Sequence, residues 1–415
     1  IFQIQIRSKF HHRKPLVMQR LIILIFCFYS ATIFAQSTFG NFVDTTANVN
    51  HLVFTGNFDL LSTSMKNEMV NTFLRGGTIS SEMKDRSLKS HKGINRIGLF
   101  GNAEINYVHG SGQLGKFSKY TWQVKGGYYA LGSANYSKDA YRLLLYGNAH
   151  LPNDSARFSG TRLNMMQFQK IGFGVVHKKS GSSLTLNLVN VQNAYSGYIK
   201  EGLFNQDPTA TNLYATLDGS AAFSKGKQFS KGIGFAFDFD LNFKVPWGKD
   251  SAIFKASIQN LGGAYLFVPQ TLYAVDSNYH FDGFTFDQLR NGSLTGSDFS
   301  LLDTLNIHQS TKNKWVLLPM HFHIMKQVNL ASAKKLQTFF GVRFYPTMGL
   351  IPSVYAGLFY RFIPQMSASV NAAYGGATIF RAGLFLGYHG KKIGVQIGTD
   401  DVYGMVSKRG YGQTG

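Results

Sequence analysis

The 415 residues carry 42 Lys and Arg against 21 Asp and Glu, a formal charge of +21, and include 36 Phe, 21 Tyr and 44 Gly. Mean hydropathy is −0.08, too low for a bundle of spanning helices but ordinary for strands whose alternate residues face water. The single cysteine, Cys27, excludes an internal disulfide, and the even scatter of basic residues lacks the clustered stripe of a nucleic-acid binder, so no nucleic-acid partner is expected.

Taken in chain order, residues 1–17 precede the first methionine and read as upstream translation. Met18 and Arg20 then open an apolar run from Leu21 to Phe34, closed by Ala35 ahead of Gln36. This is the layout of a secretory signal peptide over 18–35, and the run is shorter than the roughly 20 residues of a spanning helix. Cys27 and five basic residues (Arg7, Lys9, Arg13, Lys14, Arg20) would leave with this leader. The remainder shows no Pro- or Ser-rich linker and no tandem repeat, so one large object is expected rather than several domains.

Residues 36–92 form an N-terminal segment with helical spacing from Leu60 to Leu88. Met65, Met69 and Phe73 recur at i, i+4 and i+8, with Val70 and Leu74 beside them, and Gly76-Gly77 ends the first helical stretch. The face bearing Met65, Met69 and Phe73 predicts a helix that either plugs a lumen or covers one of its mouths.

From residue 93 to 415 the dominant period is two. Gly232–Val245 reads GIGFAFDFDLNFKV: Ile233, Phe235, Phe237, Phe239, Leu241, Phe243 and Val245 fall on one face, with Asp238, Asp240, Asn242 and Lys244 on the other. The same alternation marks Tyr120–Tyr128, Ser183–Leu188 and Phe254–Gln259, then five segments in a closing meander from Leu336 to Ile397. Residues 265–314 break it and predict a long loop. Counting the segments predicts an all-β membrane protein, an antiparallel transmembrane β-barrel of about 12–16 strands with 14 the best value. An arginine on a lipid-facing row costs about 2–4 kcal/mol at mid-membrane, so Arg343, Arg361 and Arg381, all on the non-greasy row, are expected to face the lumen. Tyr120, Tyr128, Tyr345, Tyr374 and Tyr388 are expected at interfacial girdles. The chain closes on SKRGYGQTG without a terminal aromatic, which predicts that a final strand is missing.

Candidate chemistry is sparse. His321 and His323 share one strand face and could contribute to a metal site, but no third ligand follows from the sequence, and ordinary lumen histidines satisfy the same spacing. Asp238, Asp240 and Lys244 could pair, bind cations at a pore, or join the arginines in a satisfied lumen network. There is no GxSxG, P-loop, CxxC or GxGxxG ahead of a helix, so neither an enzyme nor a cofactor is expected. Basic residues at strand ends suit anionic headgroups or lipopolysaccharide.

Several features together resemble a family of uncharacterised Bacteroidota outer-membrane barrels classified as a domain of unknown function. They are the leader cut before Gln36, FLRGGTISSEMKD (Phe73–Asp85) with NRIG (Asn95–Gly98), FAFDFDLNFKV with ASIQNLGG (Ala256–Gly263), and VLLPMHFHI (Val316–Ile324). The resemblance implies a barrel of the broad kind that includes fatty-acid transporters and the barrel components of Bacteroidota secretion machinery, and it supplies no catalytic residues. The expected location is the cell outer membrane. The expected function is passage of a small, hydrophobic solute with the N-terminal helix as gate. The alternative is a non-transporting barrel that anchors a periplasmic or surface partner of a surface-assembly or type IX secretion machinery.

Overall fold

A computed structural model describes residues 2–7, 50–110, 114–147, 154–207, 212–248, 250–281, 307–390, 393–407 and 410–411. The leader expected over 18–35 lies outside the described residues, as does 282–306.

The elements in chain order are β1 (Phe2–Arg7), β2 (His51–Ser62), α1 (Asn67–Arg75), α2 (Ser81–Ser90), β3 (Ile94–Val108), β4 (Tyr120–Ser137), α3 (Lys138–Tyr146), β5 (Ser155–Arg157), β6 (Arg162–His177) and β7 (Ser183–Gln206). They continue with β8 (Leu213–Ser224), β9 (Gly232–Trp247), β10 (Asp250–Phe281), β11 (His308–Leu317), β12 (His321–Gln327) and β13 (Leu336–Phe344). After these come β14 (Ser353–Ile363), β15 (Met366–Gly375), β16 (Phe380–His389), β17 (Ile393–Thr399) and α4 (Val402–Val406). All strands join one 17-stranded sheet.

Every pairing is antiparallel. Neighbours run β2, β3, β4, β6, β7, β9, β10, β12 and on through β17, and β1 pairs with both β17 and β2. Segment 1–17, set aside in the sequence reading, therefore contributes a strand. The far halves of β7 and β10 separate to admit β8 between them, while β5 pairs with the end of β7. β11 continues the line of β12 along β10.

The period-two reading accounts for the two faces. On β9, Ile233, Phe235, Phe237, Phe239, Leu241 and Phe243 are exposed while Ala236, Asp238, Asp240 and Asn242 are buried. On β7, Leu184, Leu186 and Leu188 are exposed against buried Thr185 and Asn187. The greasy row thus faces outward and the small or polar row inward, the reverse of a water-soluble sheet protein.

The two ends differ. At one, tight links join β6 to β7 through 178–182 and β14 to β15 through 364–365, with β9–β10 and β16–β17 joined as briefly, and longer links at 109–119 and 328–335 lie there too. At the other lie the long connections: the two helices after β2, α3 after β4, the link Tyr345–Pro352, and α4. At that end β15 and β16 turn through Gly375 and Gly376, whose φ values of 97° and 73° only glycine adopts readily.

Four expectations are corrected. The helical segment starts later than Leu60, because Leu60–Ser62 pair with Ile97–Leu99 at the end of β2, and the sheet takes in residues from His51 rather than from 93. Within the expected loop 265–314, the described parts 265–281 and 308–314 are strand. β10 runs to Phe281 and β11 begins at His308, with a register shift between Leu266 and Gln270 absorbing Pro269, which has no N–H for the ladder. Tyr345 turns inward and stacks with His321, ring centroids 4.5 Å apart, instead of joining a girdle. Among the described residues the strands number 17, above the expected range, because β5, β8 and β11 also pair into the sheet.

Candidate functional site

Two chambers lie among the strands, the first built by the inward row and the second reaching residues of both rows, Trp315 and Leu317 included. The inner one, about 200 Å³, is walled by β2, β3, β4, β6, β9, β10, β12 and β13 and is polar, with Lys125, Lys170, Asp240, Lys255, His321 and Arg343 among its walls. The mouth chamber, about 310 Å³, lies towards the long connections and is more apolar, with Met166, Ala194, Val316 and Met348 beside Gln270 and Lys314. Leu131 on β4 lines both.

What separates them is an apolar layer. Leu131, Met166, Phe168, Val189, Leu318, Met348 and Leu350 belong to one buried cluster, with Phe100 and Tyr129. Tyr129 and Phe168 stack at 4.9 Å and 9° across β4 and β6, and Phe100 meets Tyr345 at 5.0 Å. The link Tyr345–Pro352 folds over this layer because its carbonyls find donors on β4. Ser133 Oγ donates to Met348 O at 2.6 Å and Asn135 Nδ2 to Gly349 O at 2.9 Å. A one-turn 3₁₀ segment, Pro346–Met348, ends on Gly349 in the left-handed conformation with φ 64°, which turns the chain back to β14.

Below the layer sits a charged network. Lys170 Nζ meets Asp238 Oδ2 at 2.7 Å, both side chains essentially inaccessible, and donates to Asn260 Oδ1 at 2.8 Å. Lys170 also stands 4.7 Å over the Tyr129 ring. Asp240 lies between Lys255 at 3.0 Å and Lys125 at 3.6 Å and accepts from Ser257 Oγ at 2.7 Å. Buried carboxylates persist only when paired and hydrogen-bonded, and both aspartates meet that condition. Asn260 sits at a bulge in β10 with φ 58°, and its Nδ2 donates to Pro319 O at 3.2 Å, tying the network to the Leu318–Met320 link. That link is tied in turn to the connector, since Met320 N donates to Thr347 Oγ1 at 3.0 Å.

The expected site residues distribute as follows. Asp238, Asp240, Arg343 and Arg381 are buried on the inner face. Arg381 donates to Ser353 Oγ at 3.3 Å, and Arg343 lines the inner chamber. Arg361 lies half-buried at the tight-link end, where it donates to Leu330 O and Ser332 O at 2.7 and 3.1 Å. Lys244 is corrected: it stands exposed near the end of β9, and the cations paired to Asp240 come from β4 and β10. His321 and His323 face inward with ring centroids 5.6 Å apart, and His323 Nε2 lies 2.7 Å from Tyr355 Oη. Among the described residues no group of three His, Cys, Asp or Glu could hold a metal.

The helix expected as a plug does not line either chamber among the described residues. Met69 is fully buried and accepts from Tyr141 Oη at Sδ, 3.3 Å away; Met65 is half-buried, and Phe73 is 55% exposed. α1 instead packs on α2, and α2 on α3, at the long-connection end. Asn67, buried at the start of α1, donates to Gly404 O at 2.5 Å and Ser407 O at 2.8 Å, clasping α4 into the same cap. The residues missed in the sequence are Lys125, Lys170, Lys255 and Asn260. Their only local signal was a polar residue on the inward row.

Residues 177–400 match a family described as a family of unknown function (DUF5723). No curated protein matches. Among solved structures, a mutant of the Rh. blastica porin and a chain titled "Asymmetric conductivity of engineered proteins" are each 9% identical. Each alignment covers 84% of this chain and 99% of that chain, with TM-scores of 0.18 for the porin and 0.17 for the other. Likenesses at this level carry no argument about this chain.

Proposed function

The chain belongs to the DUF5723 family of unknown function, and from that premise we propose that it is an outer-membrane β-barrel that passes a small solute through its interior. Leaving out β5, β8 and β11, fourteen strands form the wall, and β1 brings the pairings from β17 round to β2. The outward apolar rows suit a bilayer, while the tight links at one end and long connections at the other follow the periplasmic and extracellular ends of such barrels.

The observation that carries the reading is the pair of chambers meeting at Leu131. Two cavities that share Leu131, with a buried apolar cluster and a short hydrogen-bonded connector between their walls, would make a closed path that a local movement opens. The gate is then Tyr345–Pro352, not the N-terminal helix. The mouth chamber supports a solute with apolar surface, and the inner chamber one that also tolerates charge.

The test is swelling of proteoliposomes in small sugars and amino acids. The intact protein is expected to admit them slowly, and the Leu131→Ala/Met348→Ala variant several-fold faster. If both, verified as folded by heat-shifted electrophoretic mobility, are no more permeable than protein-free liposomes, the transport reading fails. A second reading, a closed barrel that anchors a partner, is favoured by how completely the apolar layer fills the interior, and that result would support it.

A further inference from the structure

We propose that the inner chamber is a binding site for a small oxyanion, a carboxylate or phosphate of a size that about 200 Å³ admits. Four cations converge on it, Lys125, Lys170, Lys255 and Arg343, against Glu104 and Asp240 among its walls and Asp238 behind Lys170. The lysines come from β4, β6 and β10, and Arg343 from β13, two strands along from β10.

The protein already demonstrates the recognition geometry. The Asp240 carboxylate rests between two ammonium groups, with a serine hydroxyl donating to it and Gln259 Nε2 3.3 Å away. An incoming carboxylate would share or displace that set, as one oxyanion replaces another on the same donors. A further polar nitrogen stands by. His321 lines the chamber, and its Nε2 is buried with no hydrogen-bond partner in the structure. A buried polar atom left unsatisfied is costly, and in the Nε2–H tautomer this nitrogen would donate to a ligand oxygen and recover that cost. The ring is held in place by stacking on Tyr345, so it offers a preset direction to an acceptor.

The anion's presence would also bear on the partition. His321 follows directly on the Leu318–Met320 link, and Tyr345 opens the connector that covers the apolar layer. A ligand on the His321 ring therefore touches the residue pair on which both segments turn. The site stands on the chamber itself, but its role in passage rests on the transport reading above.

Thermal unfolding of the detergent-solubilised protein, followed by tryptophan fluorescence, tests the site directly. Sodium succinate and sodium phosphate are titrated against choline chloride at equal ionic strength. A saturable Tm rise of about 3 °C with at least one oxyanion, and none with chloride, is expected, since ligand that binds only the folded state stabilises it. Lys255→Gln and His321→Leu should each abolish the rise, while Lys312→Gln on exposed β11 should retain it. Should Lys255→Gln not assemble, Lys125→Gln takes its place. No rise in the intact protein, or an equal rise in the chamber variants, overturns the inference, the second result marking anions bound to the outer surface. A rise with impermeable liposomes keeps the site and ends transport; permeability without a rise ends the site alone.

Discussion

The backbone N–H of Asn260 donates to Asp238 Oδ1 at 2.9 Å, fastening a left-handed residue of β10 to a buried carboxylate of β9. Asn260 is the one non-glycine residue with positive φ among those described, and its side chain spans Lys170 on one side and Pro319 on the other. An L-residue in that conformation costs about 1–2 kcal/mol, and asparagine tolerates it best because its short amide bonds locally. Here the bulge lets one residue of β10 leave the ladder and enter the charged network. Asn260→Ala should therefore be less stable than Asn260→Gly: both lose the side-chain bonds, but only alanine keeps the backbone penalty. Urea unfolding of the two variants in matched detergent would show it, and equal midpoints would refute the bulge as a strained site.

The Lys170–Asp238 pair lends itself to a cycle. Removing one partner of a buried pair strands the other charge, at a cost of about 3–5 kcal/mol. Asp238→Leu and Lys170→Met should each unfold at markedly lower denaturant, while the double variant Lys170→Met/Asp238→Leu should recover much of the loss. Additive losses in the double variant would mean that the two groups are not coupled.

Outward placement of the phenylalanines predicts a sharp positional contrast. Phe237→Arg puts a cation in the middle of the greasy row of β9, a cost of about 2–4 kcal/mol in a bilayer. Phe229→Arg, in the exposed link before β9, should cost no more than about 1 kcal/mol. Folding of both into lipid vesicles, compared by denaturant titration, checks the assignment. Similar costs would place β9 out of the membrane.

Stability of the long-connection cap should depend on pH through two groups of opposite sign. Burial pushes the His91 imidazole down to about 4, against a weaker opposite pull from the Ser87 carbonyl, so the cap holds it neutral. That contribution is complete above about 6.5 and is lost as pH falls from there towards about 4. Burial pushes the Asp401 carboxyl up to about 6, opposed by the Gly404 backbone, so its contribution is present below its ordinary 3.8 and is lost as pH rises towards about 6. His91→Gln should flatten the acid side of the stability curve, and Asp401→Asn should raise stability above pH 6. Limited proteolysis of the cap between pH 4 and 7.5 reads both, and unchanged profiles would reject the assignments.

The connector's hold on β4 is as directly testable. Ser133→Ala and Asn135→Ala remove the donors to Met348 O and Gly349 O while leaving the apolar layer intact. Each bond contributes about 0.5–1.5 kcal/mol, so the double variant should populate the displaced connector roughly five-fold or more above the intact protein. Faster proteoliposome swelling is the expected readout. Unchanged swelling would separate the connector from the gate.

How much of this was legible in the chain itself follows from the range of each signal. Alternation is local, so Ile233–Phe243 on β9 declared the outward row and Asp238, Asp240, Arg343 and Arg381 the inward one without further information. The tight links, with Pro364 and Gly375-Gly376, were equally plain, because turn chemistry is a property of two or three residues. Partners were not. Lys244 was the cation nearest to Asp240 along its own strand, yet strand curvature and register carried Lys125 and Lys255 to that carboxylate from β4 and β10, and Lys170 to Asp238 from 68 residues away. Of the Met65–Met69–Phe73 face, Met69 and Phe73 lie on α1 while Met65 precedes it, and only Met69 is buried, because periodicity does not say which residues of a face will be covered. Tyr141 of α3 covers Met69, and the interior is closed instead by Tyr345–Pro352, whose carbonyls found donors on a strand over 200 residues earlier. The sequence by itself determined the outward and inward rows of strands with unbroken alternation, such as β7, β9 and β14–β16, because a period of two needs no neighbours. Only the tertiary structure decided which charges meet and what bars the path, because those depend on register between strands that no local pattern records.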